Sequence, residues 1–247
     1  PPVGLELVFT VAEEDGLRGA KELDVGSLRS PCGYVLDHAS PIGEVIVGAP
    51  TYNRIEAEFS GLEAHAGIRP EDGHSAIEAA AAAVSALKLG RLDTETTANV
   101  GVIAGGTASN VVAGRCRIDA EARSLNEERA AEVTQAIVDA CTWAAGEHGC
   151  DLDVDVREMF RGYRLRPGVE PVEVARAGLR RARREPVDAV TGGGSDANAL
   201  VAAGYECVLL ANGTEANHTP EESVAAERIT EMLAVCEWTI AEVGSTC

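Results

Sequence analysis

The chain has 247 residues, of which 45% are apolar and only 4% aromatic, so it suits one large or two modest domains with cores of Ala, Val, Leu and Ile. Forty acidic residues against 21 basic ones give a formal net charge of −19, which excludes the basic footprint of nucleic-acid and anionic-membrane binders. No apolar run approaches the roughly 18 residues of a membrane span. The seven cysteines are odd in number and form no Cys-x-x-Cys pair, which points to reduced thiols and a cytoplasmic setting. Lys21 and Lys88 are the only lysines, and acidity with so little Lys suggests salt adaptation or a high-GC source. The chain opens Pro1-Pro2, without Met or a signal peptide, and enters an apolar stretch at once. A preceding segment is therefore expected.

In chain order, residues 4–11 (GLELVFTV) read as a buried strand and Leu17 to about Leu23 as a helix. Short apolar runs at Tyr34-Val35-Leu36, ending at Asp37, and at Val45-Ile46-Val47 follow, and Gly48-Ala49-Pro50 breaks the pattern. The alternation of Ile55, Ala57 and Phe59 with polar residues predicts a half-exposed strand. Ser75 to Leu89 is an Ala-rich helix, 100–104 and 111–122 are strands, 126 to about 148 is a long helix, and 152–156 alternates again. The resulting order, strand–helix–strand–strand–helix–strand, is the ferredoxin-like pattern. After Arg166-Pro167-Gly168 a helix is expected over 172–184, a strand up to Val190, a short helix to Ala203 and a buried strand at 207–210. Thr219-Pro220-Glu221-Glu222 carries the signature of a helix start and predicts the final helix from there. The expected domains are 1–50 with 159–247, interrupted by an inserted domain at 51–158.

Several residues have chemistry to offer. Glu13-Glu14, Asp37 and His218 are each expected at strand exits of one sheet, where α/β proteins place ligands. Each alone reads more readily as a turn or helix-entry residue. Together they are oxygen and nitrogen donors of the kind zinc accepts, with one carboxylate to spare as a general base. Gly192-Gly193-Gly194-Ser195, between a strand and a helix, is either a tight turn or an anion-binding nest of backbone N–H groups. His65 lies in an open loop, and Arg123 ends a long strand where it would clamp a carboxylate or make an ordinary ion pair.

Five segments in order resemble those of a known family. They are Thr10 to Ala20 around the double glutamate, Ala64-His65-Ala66-Gly67, Gly105-Gly106-Thr107-Ala108-Ser109-Asn110, Gly192 to Asn198, and His218 to Glu222. The chain is similar to the di-zinc exopeptidases of the aminoacylase and carboxypeptidase G2-like family. Gly33-Tyr34-Val35-Leu36-Asp37 and Gly192 to Asn198 are worded as in its peptidase T-like, or tripeptide aminopeptidase-like, branch.

The resemblance implies a zinc-exopeptidase-like α/β catalytic domain with an inserted ferredoxin-like α+β lid that dimerises. It implies hydrolysis of short peptides by two zinc ions per subunit, with manganese or cobalt as alternatives. Glu13 would be the general base, and Glu14 with His218 would bind one metal and Asp37 the other. His65 would reach a substrate oxyanion across a homodimer interface. Asn110 and Arg123 would hold the substrate, and Gly193, Gly194 and Ser195 its backbone. The family also has a His-x-Asp motif upstream of the double glutamate, and no His precedes Glu13 here. The catalytic domain is therefore expected to be incomplete and this chain alone inactive. Other expectations are a deacylase, carboxypeptidase or other amidohydrolase of the same family, or a non-catalytic dimeric peptide-binding protein.

Overall fold

The computed structural model describes residues 3–246, so Pro1 and Pro2 at the opening, and Cys247, lie outside the described residues. The chain divides into two compact units, one built from the chain up to Ala49 and from Phe160 onward, the other from Pro50–Met159.

The first unit is a sheet with helices on both faces. Its strands are β1 (Cys32–His38), β2 (Glu44–Ala49), β8 (Tyr163–Arg164), β9 (Val187–Val190) and β10 (Glu206–Ala211), in the order β1-β10-β2-β8, with β9 also paired to β2. β1 and β10 are parallel, while β10 and β2 are antiparallel. Successive side chains of a strand face opposite sides, and the sequence uses both. Val45, Val208 and Leu210 pack against α4 (Glu170–Arg181) and α6 (Ala226–Thr246). Ile46, Cys207 and Leu209 pack on the other face around Ala197 of α5 (Asp196–Ala202). A strand apolar on both faces is the mark of a sheet covered on both sides. Gly178 of α4 lets α6 come close, since a Cβ there would lie 2.3 Å from Thr239 Oγ1.

The second unit is an antiparallel sheet with helices on one face. Its strands β3 (Thr51–Ser60), β4 (Gly90–Arg91), β5 (Thr96–Gly105), β6 (Arg115–Ser124) and β7 (Asp151–Phe160) lie in the order β4-β5-β6-β3-β7. The helices are α2 (Ala76–Ala86) and α3 (Glu127–Glu147), the former capped by Ser75 and the latter by Asn126. Apart from the short β4, this is the ferredoxin-like arrangement that the order of elements predicts. Ile55, Ala57 and Phe59 of β3 and Ile118, Ala120 and Ala122 of β6 face α2 and α3 and are almost wholly buried. The alternate positions carry charge, and Arg54 meets Glu56 at 2.9 Å and Arg117 meets Asp119 at 2.8 Å across the open face. Burying each large apolar side chain contributes about 1.5–3 kcal/mol, whereas each exposed ion pair contributes about 0–1. The apolar face therefore holds this unit together.

Two expectations are corrected. Residues 4–11 form no strand and no helix, and Leu7, Phe9 and Val11 are exposed by 72%, 88% and 72%. Apolar composition gives a strand preference, but a strand needs a partner ladder to bury it. Glu13-Glu14 therefore follows an irregular segment and not a strand of the sheet. The final helix begins at Ala226, not at Thr219. The Thr219 hydroxyl accepts from the Glu221 N–H at 3.2 Å and the Glu222 N–H bonds to the Thr219 carbonyl at 3.1 Å, closing one turn. Ser223 then pairs with Glu215 through two backbone bonds of 2.9 and 3.1 Å, which draws the chain out of the helical path.

Candidate active site

The double glutamate sits in a tight turn leading into α1 (Arg18–Glu22). The N–H groups of Leu17, Arg18 and Gly19 donate to the carbonyls of Glu13, Ala12 and Val11 at 2.8, 3.2 and 2.9 Å. Ala12 and Leu17, on either side of the pair, hold left-handed φ angles of 53° and 62°. Residues with a Cβ take this conformation only where their surroundings impose it. Leu17 is 2% exposed and packs with Ala20 against Ala199 and Phe160. Gly19 has no room for a side chain, because a Cβ would stand 2.5 Å from the Val11 backbone.

Asp37 lies at the carboxyl end of β1, and β10 runs parallel to β1, so both strands exit at the same edge. The loop after β10 carries His218 back to that edge. Asn212 ties it down: its N–H donates to the His38 carbonyl at 3.0 Å and its Nδ2 to the Leu36 carbonyl at 3.2 Å. Asn212 Oδ1 meanwhile accepts from the backbone and hydroxyl of Thr214 at 3.0 and 2.7 Å. Ala216 and His218 hold left-handed φ angles of 56° and 63°. His218 Nδ1 comes to 3.6 Å from Glu14 Oε1, and both side chains are open to solvent.

These groups feel one another's charge. Burial, followed by repulsion from Asp37, Glu14 and Asp196, pushes the Glu13 carboxyl up to about 7, with His218 opposing. Burial and then the carboxylates of Asp196 and Glu14 also raise Asp37. Burial lowers the neighbouring His38.

A divalent cation suits this set in kind, since carboxylates that repel one another and an imidazole are donors such ions accept, and a cation relieves the repulsion. Among the described residues no group of three is already gathered as a complete cage. Glu14 and His218 form a pair, with Asp37 within electrostatic reach of both.

In the second unit His65 and Asn110 are neighbours. The Ala66 N–H donates to the Asn110 carbonyl at 2.9 Å, and His65 bridges to Val111. His65 Nδ1 accepts from the Gly67 N–H at 3.2 Å, so the neutral ring carries its proton on Nε2. Arg123 is engaged by Glu121 through two bonds of 3.0 and 3.1 Å and stacks 4.1 Å from the Tyr52 ring centre.

The glycine loop is more closed than a nest of free N–H groups. Gly193 donates to Thr191 Oγ1 at 3.0 Å and Ser195 to Asn198 Oδ1 at 3.1 Å, the latter as half of a buried capping box. Gly194 is glycine because a Cβ would meet the Phe160 ring at 2.3 Å. Asp196 and Asn212 are the residues that sequence reading passed over. The Asn212-Gly213 pair is a turn signal that pointed to the second, whereas Asp196 reads only as the residue after a cap.

Residues 51–149 match the family described as the peptidase dimerisation domain, of the M20 type. The fold is similar to aminopeptidase PepT from Bacillus cereus ATCC 10987, with a TM-score of 0.87 and 40% identity over 95% of this chain and 63% of that one. It is also similar to a tripeptidase from Staphylococcus aureus subsp. aureus mu50, with a TM-score of 0.91 and 35% identity over 96% of this chain and 63% of that one. The uncharacterized protein YqjE of Bacillus subtilis (strain 168) is 40% identical over 225 residues, 91% of this chain and 61% of its own length. The chain thus spans about three fifths of the length of these relatives. Its second unit is thus similar to the dimerisation domain of the M20 peptidases, and over nearly all its length the chain is similar to peptidases of the peptidase T-like kind.

Proposed function

We propose that the protein is a metal-dependent hydrolase of peptide bonds in short peptides, acting as an aminopeptidase or tripeptidase. The observation that carries this reading is the convergence of Glu13, Glu14, Asp37 and His218 in one field of mutual charge, with Asp37 at a strand end and His218 on left-handed backbone. The likeness to an aminopeptidase and a tripeptidase supports the choice of substrate.

Glu14 and His218 would hold one divalent cation and Asp37 a second, with zinc the expected ion and manganese or cobalt able to replace it. The cations, when bound, polarise the scissile carbonyl and acidify the attacking water. Glu13 takes the proton from that water and passes it to the leaving amine. Its carboxyl is half-buried beside the metal donors, where it is placed to hold that proton between the two halves of the transfer. His65, with its proton on Nε2, would donate to the oxyanion. Asn110 and Arg123 would hold the substrate, the latter by exchanging its Glu121 contact for a substrate carboxylate. Gly193, Gly194 and Ser195 would shape the surface along which the substrate backbone lies.

The second unit would form a homodimer. The test is hydrolysis of tripeptides, N-acyl amino acids and C-terminally blocked peptides by the full-length protein, before and after chelation. Cleavage of free tripeptides from the amino end, lost on chelation and restored by zinc, supports the reading. Chelator-resistant cleavage, or none on any of the three classes, contradicts it.

A further inference from the structure

The Glu13-Glu14 turn is bracketed by two residues, Ala12 and Leu17, in a backbone conformation they hold only under constraint. α5 supplies the constraint at two points on one face. Ala199 packs beneath Leu17 and Ala20, and three residues earlier Asp196 Oδ2 accepts a hydrogen bond from the Thr10 hydroxyl. α5 is itself fixed. Ser195 Oγ accepts from the Ala197 N–H at 3.2 Å, and Asn198 Nδ2 donates to the Arg161 carbonyl at 2.8 Å. Ser195 and Asn198 are 0% and 1% exposed. The other oxygen of Asp196, Oδ1, is buried with no hydrogen-bond partner. Leaving an acceptor buried and unmatched is unfavourable for folding alone, so stability does not account for a carboxylate at this place.

We propose that Asp196 is a positioning residue, which fixes the Glu13-Glu14 turn through its hydrogen bond to Thr10. The inference rests on the reading of Glu13 as the base. Thr10 is three residues ahead of Glu13, so loosening the anchor moves the base without touching the substrate.

The test compares Asp196→Ala, Asp196→Asn and Thr10→Val in the full-length protein. Asn keeps a carbonyl acceptor for the Thr10 hydroxyl, Ala does not, and Thr10→Val removes the donor. The expected result is a fall in kcat of about tenfold or more in Asp196→Ala and Thr10→Val, with KM within about twofold, because misplacing a reacting group costs rate and not binding. Asp196→Asn should recover most of that kcat. In the metal-free protein, exchange of the Leu17, Arg18 and Gly19 amides should quicken in Asp196→Ala and Thr10→Val but not in Asp196→Asn. Unchanged kcat and exchange in Asp196→Ala and Thr10→Val would overturn the proposal, as would an Asn variant as damaged as the Ala variant in both readouts. If Asp196→Ala does not fold, Thr10→Val carries the same comparison. If the wild-type protein cleaves nothing, the functional reading fails while the exchange rates still decide whether Asp196 anchors the turn.

Discussion

His218 Nδ1 and Glu14 Oε1 stand 3.6 Å apart, although one comes from the loop after β10 and the other from the turn before α1, 204 positions away in the chain. Each is delivered by a backbone held in place. The Asn212 side chain and N–H bind the first loop to β1, and α5 packs under Leu17 of the second. The pair is exposed, so its attraction alone contributes little to folding. Such precision in an exposed pair fits a role for the two side chains in holding something else.

The Glu13 carboxyl makes the metal-free fold sensitive to pH. Its folded-state value of about 7 lies above the ordinary 4.5, so the folded state holds the proton more firmly than the unfolded one. The stability this group contributes is therefore fully present below pH 4.5 and is lost as pH rises from 4.5 to about 7. In chelator, the melting temperature should drop from pH 5 to pH 8, and Glu13→Gln should lessen that drop and melt higher than wild type at pH 8. An equal drop in both proteins would mean that Glu13 is not the strained carboxylate.

Gly178 tests the contact between α4 and α6. A helical Gly→Ala change ordinarily stabilises by about 0.5–1 kcal/mol. Here the new methyl would meet Thr239 Oγ1 at 2.3 Å and the Thr239 backbone at 2.9 Å. Gly178→Ala should instead destabilise by about 1–3 kcal/mol, the usual range for overpacking, as read from the urea midpoint.

Ser195 is a buried N-cap whose Oγ accepts from the Ala197 N–H. Ser195→Ala should cost about 0.5–2 kcal/mol in urea unfolding. If the cap also steadies α5 beneath the double glutamate, amide exchange at Leu17 should quicken in parallel.

A net charge of −19 repels itself in the folded state more than in the expanded chain. Screening shortens the range of that repulsion from about 10 Å at 0.1 M salt to about 3 Å at 1 M. The melting temperature should rise between those two concentrations of sodium chloride. A flat profile would rule out salt adaptation as the meaning of the acidic composition.

Legibility in the sequence follows physical cause. The second unit was readable because its main elements announce themselves locally: Ile55, Ala57 and Phe59 alternate, and Ser75 and Asn126 stand where caps belong, while the two-residue β4 and the start of β6 at Arg115 have no such signal. Residues 4–11 misled because composition records a preference for strand while pairing depends on what lies beside it. Thr219 misled because a cap signature closes one turn, and only the Glu215–Ser223 pairing, a tertiary fact, stops the helix there. Glu13, Glu14, Asp37 and His218 were found as donor types and by resemblance, but the means of bringing them together was not. Asn212 and Asp196 do that through side-chain contacts that span 176 and 186 positions and leave no local pattern.

The central claim is that Glu14, Asp37 and His218 are metal donors, and metal binding tests it most directly. Zinc content and affinity would be measured on the full-length protein and on its Glu14→Ala, Asp37→Ala and His218→Ala variants, each checked for folding by its melting profile. The account predicts two zinc ions in the wild type and loss of at least one, or a large loss of affinity, in every variant, while Glu13→Gln keeps both ions and loses hydrolysis. Full zinc occupancy in folded Glu14→Ala and His218→Ala variants would contradict it.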